Sequence, residues 1–272
     1  MAGYFLSKPD RCYNHPMKIE ILPVKTRIVN PPKDEIWDIV DQLEVKDGDI
    51  VFITSKIMAI HQGRTVKKTD ITKEALIEQE ADRALSYPNP YDDYNMNLTL
   101  TVAHGVLIPA AGIDESNANG YYILWPEDID EFCRDIRKRL IDKYKLRRLG
   151  VVATDSHTTP LRWGVTGITI GLAGVQPLRD IRGEQDLFGR EMHVTQVDLI
   201  DPLAAMAVKA MGESSEGTPI VIMRGDLGIH FSSKASMENF KIEPELDLYR
   251  PLLDAMKIIK KTPHNKAAAK HL

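Results

Sequence analysis

This sequence has few cysteines, and it lacks both a long hydrophobic run and a recognisable secretion signal. Its 272 residues include two cysteines, Cys12 and Cys133, which lie far apart and share no spacing typical of a metal site. This favours a reducing compartment. The apolar run from Tyr4 to Leu6 is too short for a signal peptide, and no segment is long enough to span a membrane. We therefore expect a cytoplasmic protein without a membrane partner.

The sequence also lacks an excess of positive charge. It has 35 Lys and Arg against 39 Asp and Glu, which gives a net charge of -4, and no basic stripe runs through it. This balance argues against a nucleic-acid partner. The apolar fraction of 43% is ordinary for a soluble globular protein, and the length allows one large domain or two intimate lobes.

The common nucleotide-binding motifs are missing as well. The four glycines of one glycine-rich stretch, Gly164, Gly167, Gly171 and Gly174, do not have the G-x-G-x-x-G spacing, and no P-loop ending in G-K-[ST] is present. These glycines alternate with apolar residues. The pattern predicts strands that pack closely against neighbouring backbone.

Hydrophobic periodicity predicts an α+β (mixed α/β) fold. The predicted strands cover residues 18–24, 50–53, 98–108, 150–153, 164–174 and 219–223. Predicted helices begin with caps or first turns at Asp34, Thr72, Pro126, Asp201 and Pro244. The helix from Thr72 should continue to Leu85, and the one from Pro126 should end at a C-cap formed by Gly150.

The ends of the chain differ from its body. Residues 1–16 have no clear periodicity, so we expect them to form an N-terminal arm. Residues 262–272 are basic and alanine-rich, which is typical of a flexible tail. Residues 87–97 predict a polar loop. The body, residues 17–261, contains no internal repeat and no flexible linker, so we expect it to form one domain.

The stretch from Gly150 to Gly164 is the strongest candidate for a functional site. A buried strand over residues 150–153 is followed by a carboxylate, hydroxyls, an imidazole and an arginine. Ligands gather at the carboxyl ends of strands in α/β folds, which makes Asp155 and Ser156 candidate site residues. The alternative is an aspartate that caps its own loop.

Three more segments have similar chemistry. Ser55 and Lys56 follow a predicted strand and suit a phosphate or carboxylate, although a solvated lysine at a helix start is the simpler interpretation. Asp114 and Asn117 lie in a glycine-bearing loop that could approach a ligand closely, or could be a well-capped turn. Residues 213–218 could hold phosphate through backbone amides and a metal through a carboxylate, or could be a polar helix-to-strand loop.

In their order along the chain, these segments resemble the coenzyme F420-0:L-glutamate ligase family, the gamma-glutamyl ligases of deazaflavin cofactor synthesis. The resemblance covers roughly residues 18–226 and rests on five pieces, which are Thr54-Ser55-Lys56, residues 111–117, Thr154-Asp155-Ser156, residues 177–184 and residues 211–217. It implies the fold of that family, with two intimate lobes in an intertwined homodimer.

The resemblance also implies roles for individual residues. It makes Asp114 and Asp155 catalytic. The metal ligands that it implies are Asp114, Asp155, Ser156 and Glu213. The nucleotide contacts that it implies are Leu22, Pro23, Val24, Lys25, Ser55, Lys56, Asn117, Met211, Gly212, Glu213, Ser214, Ser215, Glu216, Gly217 and Thr218.

The activity implied is a GTP-dependent amide ligase that requires Mg²⁺ or Mn²⁺, with K⁺ as a further candidate cofactor. Its partners would be L-glutamate, GTP and a carboxylate acceptor such as coenzyme F420-0. Amide formation needs an activated carboxylate, most simply an acyl phosphate. Oxygen ligands such as Asp114 and Asp155 suit these cations, and two metals could neutralise the transferring phosphate.

The acceptor side departs from the family's pattern. Where related ligases have a run like F-G-R-P-W-R after the metal aspartate, this chain has residues 157–162, which keep Pro160 and Arg162 only. The candidate acceptor contacts are His157, Thr158, Thr159 and Arg162. The departure resembles a folate-metabolism branch of gamma-glutamate ligases, so a folate-like acceptor is a second hypothesis. Two further hypotheses are a metal-dependent nucleotide phosphohydrolase and a non-catalytic nucleotide-binding protein.

Overall fold

The centre of the fold is a six-stranded sheet whose middle strands have apolar side chains on both faces. The computed structural model describes residues 18–85 and 99–259; the predicted arm 1–16, the loop 87–97 and the tail 262–272 lie outside the described residues. The strands are β1 (Ile19–Val24), β2 (Asp49–Thr54), β3 (Thr65–Lys67), β4 (Arg83–Ala84), β5 (Leu100–Ala103), β6 (Val106–Pro109), β7 (Tyr121–Ile123), β8 (Leu149–Thr158), β9 (Val165–Val175), β10 (Leu178–Asp180), β11 (Gln196–Asp198), β12 (Ile220–Gly225), β13 (Phe231–Ser232) and β14 (Lys257–Ile258). The α-helices are α1 (Trp37–Asp41), α2 (Ser55–Gln62), α3 (Lys73–Glu80), α4 (Ile129–Tyr144), α5 (Asp201–Met211) and α6 (Arg250–Ala255).

The strand order of the central sheet brings two predicted site segments together. The order is β1-β12-β2-β8-β9-β13, in which β2 and β8 are parallel and the remaining neighbours are antiparallel. Thr54 at the end of β2 pairs with Thr154 of β8. The segments that follow these two residues therefore start side by side at the same edge of the sheet.

Helices cover both faces of this sheet. Val51 and Ile53 of β2 belong to a core with residues of α1, α2 and α4, whereas Ile50 and Phe52 belong to a second core with residues of α5. Burial on both faces explains why β2 is a continuous apolar run rather than an alternating one. The prediction of a mixed α/β fold is confirmed.

A smaller sheet, of order β14-β4-β5-β6, packs into the first of these cores. Ala103 of β5 and Ile108 of β6 are buried there with the side chains of α2 and α4. Two further strand pairs, β3 with β7 and β10 with β11, complete the sheets of the described residues. In this part of the chain, no helix has the length and apolar character that a membrane span needs.

The glycines of β9 allow close packing, as the sequence predicts. A Cβ atom on Gly171 would overlap Ile129 of α4, and a Cβ on Gly167 would overlap the backbone of Ala204 in α5. Helices therefore approach β9 from both sides more closely than any other residue would permit.

Several predicted boundaries are wrong because tertiary contacts override the local pattern. The helix capped by Thr72 ends at Glu80 instead of Leu85, and the chain then forms β4, which pairs with β5. The predicted strand 98–108 is, over its described residues, the hairpin of β5 and β6 with a turn at His104 and Gly105. Cross-strand pairing decides both segments.

The predicted caps also differ from the observed ones. Asp34 does not cap α1; its carboxylate accepts bonds from Arg27 Nη1 and the Asn30 backbone. Helix α4 ends at Tyr144 with Lys145 in the left-handed conformation, whereas Gly150 lies inside β8. The last helix begins at Arg250, six residues after the predicted start at Pro244.

Candidate functional site

A cavity of about 890 Å³ lies where the chain leaves β2 and along the last part of β8. Most of its wall comes from five segments that are distant in sequence. These are residues 26–31 after β1, the start of α2, the loop 112–119, residues 154–158 of β8 and the loop 211–219. The topology thus places most of the predicted site residues around one space.

Lys56 and Asp114 form an ion pair in this cavity. Lys56 Nζ lies 2.6 Å from Asp114 Oδ2, and it also donates to the backbone oxygen and the hydroxyl of Ser116, each at 2.9 Å. Asp114 Oδ1 accepts from the Ser116 backbone N–H at 2.8 Å and from its hydroxyl at 2.9 Å. Burial acts to raise the pKa of Asp114, but Lys56 and Ser116 outweigh it and hold this pKa below its usual value. Asp114 is therefore an ionised, oriented carboxylate.

Asp155 lies on β8, which continues five residues beyond the predicted end of the strand. The sequence places Asp155 after a strand ending at Ala153, but β8 runs to Thr158, with a register irregularity between Ala153 and Thr154. The Asp155 carboxylate accepts from the indole Nε1–H of Trp125 and, at 2.8 Å, from the backbone N–H of Ser156. Burial raises its pKa to about 7, with a further contribution from Asp114.

The loop that follows α5 closes the cavity on the side of Asp114. Asn117 Nδ2 donates to the Ser214 backbone oxygen at 2.8 Å, which joins two loops that are 97 residues apart. Within the loop, Glu216 accepts from the Ser214 backbone N–H at 2.8 Å, and Thr218 donates to Met211 at 2.6 Å. A Cβ on Gly212 would overlap the Glu216 side chain. Glu216 therefore shapes this loop from within.

Burial and the charged side chains around Glu213 shift the pKa of its carboxyl group. Burial raises the pKa of its carboxyl; Lys56 lowers it, and Asp114 and Glu216 raise it again. The residues that line the cavity include three carboxylates and a lysine, which are Asp114, Asp155, Glu213 and Lys56. A cavity with this acidic lining would hold an anion such as a phosphate only with additional positive charge.

Some predicted contacts do not line this cavity. Its wall begins at Thr26, so the residues of β1 and the one after it, Leu22, Pro23, Val24 and Lys25, stop short of it. Ser55 is buried at the start of α2. His157 and Thr158 line the cavity, but Thr159 and Arg162 lie in the turn between β8 and β9. The ligand roles of these residues remain predictions.

Three contributions to the site are not visible in the sequence patterns. Residues 26–31 form one wall, Lys73 at the start of α3 reaches the cavity, and Trp125 supports Asp155 from the core. The sequence around Trp125 shows only a helix start at Pro126. No local pattern identifies a tryptophan whose hydrogen-bond partner lies 30 residues away.

The chemistry of the donor set fits a divalent cation. Asp114, Asp155, Glu213 and Ser156 offer oxygen atoms alone, which Mg²⁺ and Mn²⁺ prefer. Among the described residues, no three carboxylate, imidazole or thiol groups are gathered into a complete metal site.

Comparisons with known proteins identify the family of the chain. A family model described as F420-0:Gamma-glutamyl ligase matches residues 23–225. The chain is 35% identical over 221 residues to the coenzyme F420:L-glutamate ligase of Methanopyrus kandleri, which covers 77% of this chain and 87% of the relative. The Methanocaldococcus jannaschii protein of the same name is 33% identical, covering 76% and 88%. The Archaeoglobus fulgidus protein is 28% identical, covering 87% and 98%.

Proposed function

The chain belongs to the F420-0:gamma-glutamyl ligase family, and we propose that it joins the amine of L-glutamate to a carboxylate of coenzyme F420-0 or a related acceptor, using GTP. The observation that carries the proposal is the convergence of Lys56, Asp114, Asp155 and the loop 211–218 on one cavity. A carboxylate pair, a lysine and a loop rich in backbone N–H groups suit phosphoryl transfer.

The reaction has two balanced steps. An oxygen of the acceptor carboxylate attacks the terminal phosphorus of GTP, which gives an acyl phosphate and GDP. The amine nitrogen of L-glutamate then attacks the acyl carbon, inorganic phosphate leaves with the bonding electron pair, and the nitrogen loses a proton. No covalent bond to the protein is needed, so placement of charge would carry the catalysis.

The chain's own residues would position the reactants. Lys56, which is bonded to Asp114, would neutralise charge on the transferring phosphate. The backbone of residues 213–218 would hold the nucleotide phosphates, and Asp114, Asp155, Glu213 and Ser156 would hold the cation. When bound, Mg²⁺ or Mn²⁺ supplies positive charge at the phosphates. K⁺ has no assigned ligands and remains a prediction.

We propose a homodimer on the basis of two exposed apolar tips. In the turn between β8 and β9, Leu161 and Trp163 are 96% and 95% exposed; between β10 and β11, Leu187 and Phe188 are 99% and 95% exposed. Two such pairs of neighbouring exposed apolar side chains are candidates for an interface. A second copy is the favoured occupant because the β8–β9 turn continues directly from the cavity residues and includes Thr159 and Arg162. In sedimentation velocity, the chain should be a dimer, and Trp163→Lys with Leu161→Lys should give a monomer.

The test of the reaction is mass spectrometry of the acceptor. The protein is incubated with Mn²⁺, L-glutamate and GTP or ATP, with coenzyme F420-0 present or absent, and phosphate release is followed in parallel. The proposal expects an acceptor heavier by one glutamyl unit and phosphate release that needs both L-glutamate and acceptor. Phosphate release without either substrate and without product would instead establish a nucleotide phosphohydrolase.

A folate-like acceptor is the second candidate, and a specific observation favours testing it. His157 and Thr158 line the cavity at the position where the sequence departs from the pattern of the F420 ligases. A folate with a free glutamate carboxylate is therefore offered in the same assay. Glutamylation of the folate, with F420-0 unchanged, would replace the first acceptor by the second.

A further inference from the structure

The buried side chain of Trp125 donates a hydrogen bond to the carboxylate of Asp155. It is 2% exposed, and its indole Nε1–H donates to Asp155 Oδ2, while Asp155 Oδ1 accepts from the Ser156 backbone N–H at 2.8 Å. Each carboxylate oxygen therefore has an N–H partner from the protein. The remaining lone pairs are left for a ligand in the cavity.

The segment that carries Trp125 also positions Asp114. Ile123, two residues before Trp125, accepts a bond from the Asp114 backbone N–H and donates to the Asp114 backbone oxygen, each at 2.9 Å. On the same side, a Cβ on Gly112 would overlap the indole ring, and Gly112 has a φ of 71°. The residue two positions before Asp114 is thus a glycine that leaves room for the ring.

Neighbouring groups hold the indole in place. Arg64 Nε donates to the Trp125 backbone oxygen at 3.1 Å, and Arg64 Nη2 pairs with Glu80 at 2.5 Å. The His104 ring lies against the indole, with 5.9 Å between ring centroids. A fully packed ring with its backbone and N–H both bonded has no second position available.

We propose that Trp125 is a positioning residue that sets the spacing of Asp114 and Asp155 and aims the Asp155 carboxylate at a divalent cation. The indole N–H orients the Asp155 carboxylate. The indole ring and the backbone before it fix the loop that carries Asp114. The inference rests on the proposed function, in which these two carboxylates hold the metal. Outer partners of this kind commonly change metal affinity by about 10–100-fold.

The experiment measures Mn²⁺ binding directly, through the electron paramagnetic resonance signal of free Mn²⁺, with and without a non-hydrolysable GTP analogue. The variants are Trp125→Phe, which keeps an aromatic ring without the N–H, and Asp155→Asn. Trp37→Phe is the matched control, because Trp37 packs on His61 and Phe132 and does not line the cavity. Thermal unfolding shows whether each variant is folded.

We expect Trp125→Phe to weaken Mn²⁺ binding about tenfold or more and Trp37→Phe to leave it unchanged. In an Asp155→Ala background, where the indole N–H has no acceptor at position 155, adding Trp125→Phe should have no further effect, since the N–H acts through that carboxylate. If Trp125→Phe destabilises the fold, benzothienylalanine at position 125, which replaces the N–H by sulfur with the ring shape kept, gives the same comparison.

The outcomes separate this inference from the proposed function. Wild-type binding of Mn²⁺ by Asp155→Asn would overturn the metal role of Asp155 and the inference with it. Lost binding in Asp155→Asn, combined with unchanged binding in folded Trp125 variants, would overturn the role of Trp125 alone. An equal loss from Trp125→Phe in both backgrounds would show a general structural effect and would also overturn it.

Discussion

Lys56 Nζ and Asp114 Oδ2 lie 2.6 Å apart across two segments that are 58 positions apart in the chain. The pair brings the end of β2 and the loop after β6 to the same cavity. Both groups are partly shielded, with side-chain exposures of 21% and 36%, so the attraction is stronger than that of a surface pair. In the proposed reaction, the Lys56 ammonium group can exchange its contact with Asp114 for a contact with a phosphate.

Replacing Lys56 by methionine should reduce turnover by about 100-fold or more, because it removes a positive charge beside the transferring phosphate. The stem of the side chain is largely retained. Phosphate release with saturating GTP measures the effect. Lys18→Met is the matched control, since Lys18 is 88% exposed and its pair with Glu20 spans 3.9 Å. Equal activity of the two variants would contradict the role of Lys56.

Asp155→Asn should abolish turnover while leaving thermal stability unchanged or higher. The asparagine oxygen can still accept from the Trp125 N–H, and removal of the buried negative charge offsets the loss of the acceptor for the Ser156 backbone N–H. Thermal unfolding and phosphate release on the same preparation check both parts. A variant that retains activity would remove Asp155 from the catalytic residues.

Thr158→Ala should raise the KM for the acceptor several-fold, with little change in the KM for GTP. Thr158 lines the cavity at the end of β8, beside the residues where the sequence departs from the family's pattern. Thr69→Ala, in an exposed turn where the hydroxyl donates to Asp70, is the control. An unchanged acceptor KM would place Thr158 outside the acceptor pocket. Thr159→Ala reports separately on the β8–β9 turn.

The stability of the fold should depend on Asp201 between about pH 4 and pH 6. Burial raises the pKa of this carboxyl from 3.8 to about 6; the Thr169 backbone N–H acts against this, and Asp198 adds to it. The folded state therefore keeps a proton that the unfolded state has lost, so stability falls as the pH rises through this window. The difference in melting temperature between wild type and Asp201→Asn should change across it. A constant difference would contradict the shifted pKa.

The pair of Asp49 and Arg224 should contribute to folding without affecting catalysis. Asp49 is fully buried at the start of β2, the end opposite the cavity, and Arg224 bonds both of its oxygens at 2.9 and 2.8 Å. Arg224→Met leaves that charge unpaired and should cost about 3 kcal/mol of unfolding free energy. Arg250→Met, which breaks an exposed pair with Asp254, should cost about 0.5 kcal/mol or less. Denaturant unfolding compares them.

Much of the architecture follows from local sequence patterns. The run at residues 50–53 is buried on both faces, as its continuous apolar character predicts, and Asp201-Pro202 begins a helix that ends before Gly212. The glycines of β9 lie where helices pack closely. These features depend on neighbours one to four positions away, or on the absence of a Cβ, so the sequence displays them directly.

The candidate site was predictable in its motifs but not in its geometry. The sequence identifies Asp114, Asp155 and Glu213 as acidic residues in suitable loops, and the structure places all three at one cavity. It does not show that β8 extends through Asp155, or that the wall beside β1 starts at Thr26. Strand extension depends on pairing with β9, which is a tertiary interaction.

The sequence by itself determined which residues have the chemistry, through the order of its motifs and the periodicity of its strands and helices. Only the tertiary structure decided that Lys56 would meet Asp114 and that Trp125 would hold Asp155. The physical reason is distance along the chain. A pattern within one segment reports the forces among near neighbours, whereas a contact between residues 30 or 60 positions apart exists only after the core has brought their segments together.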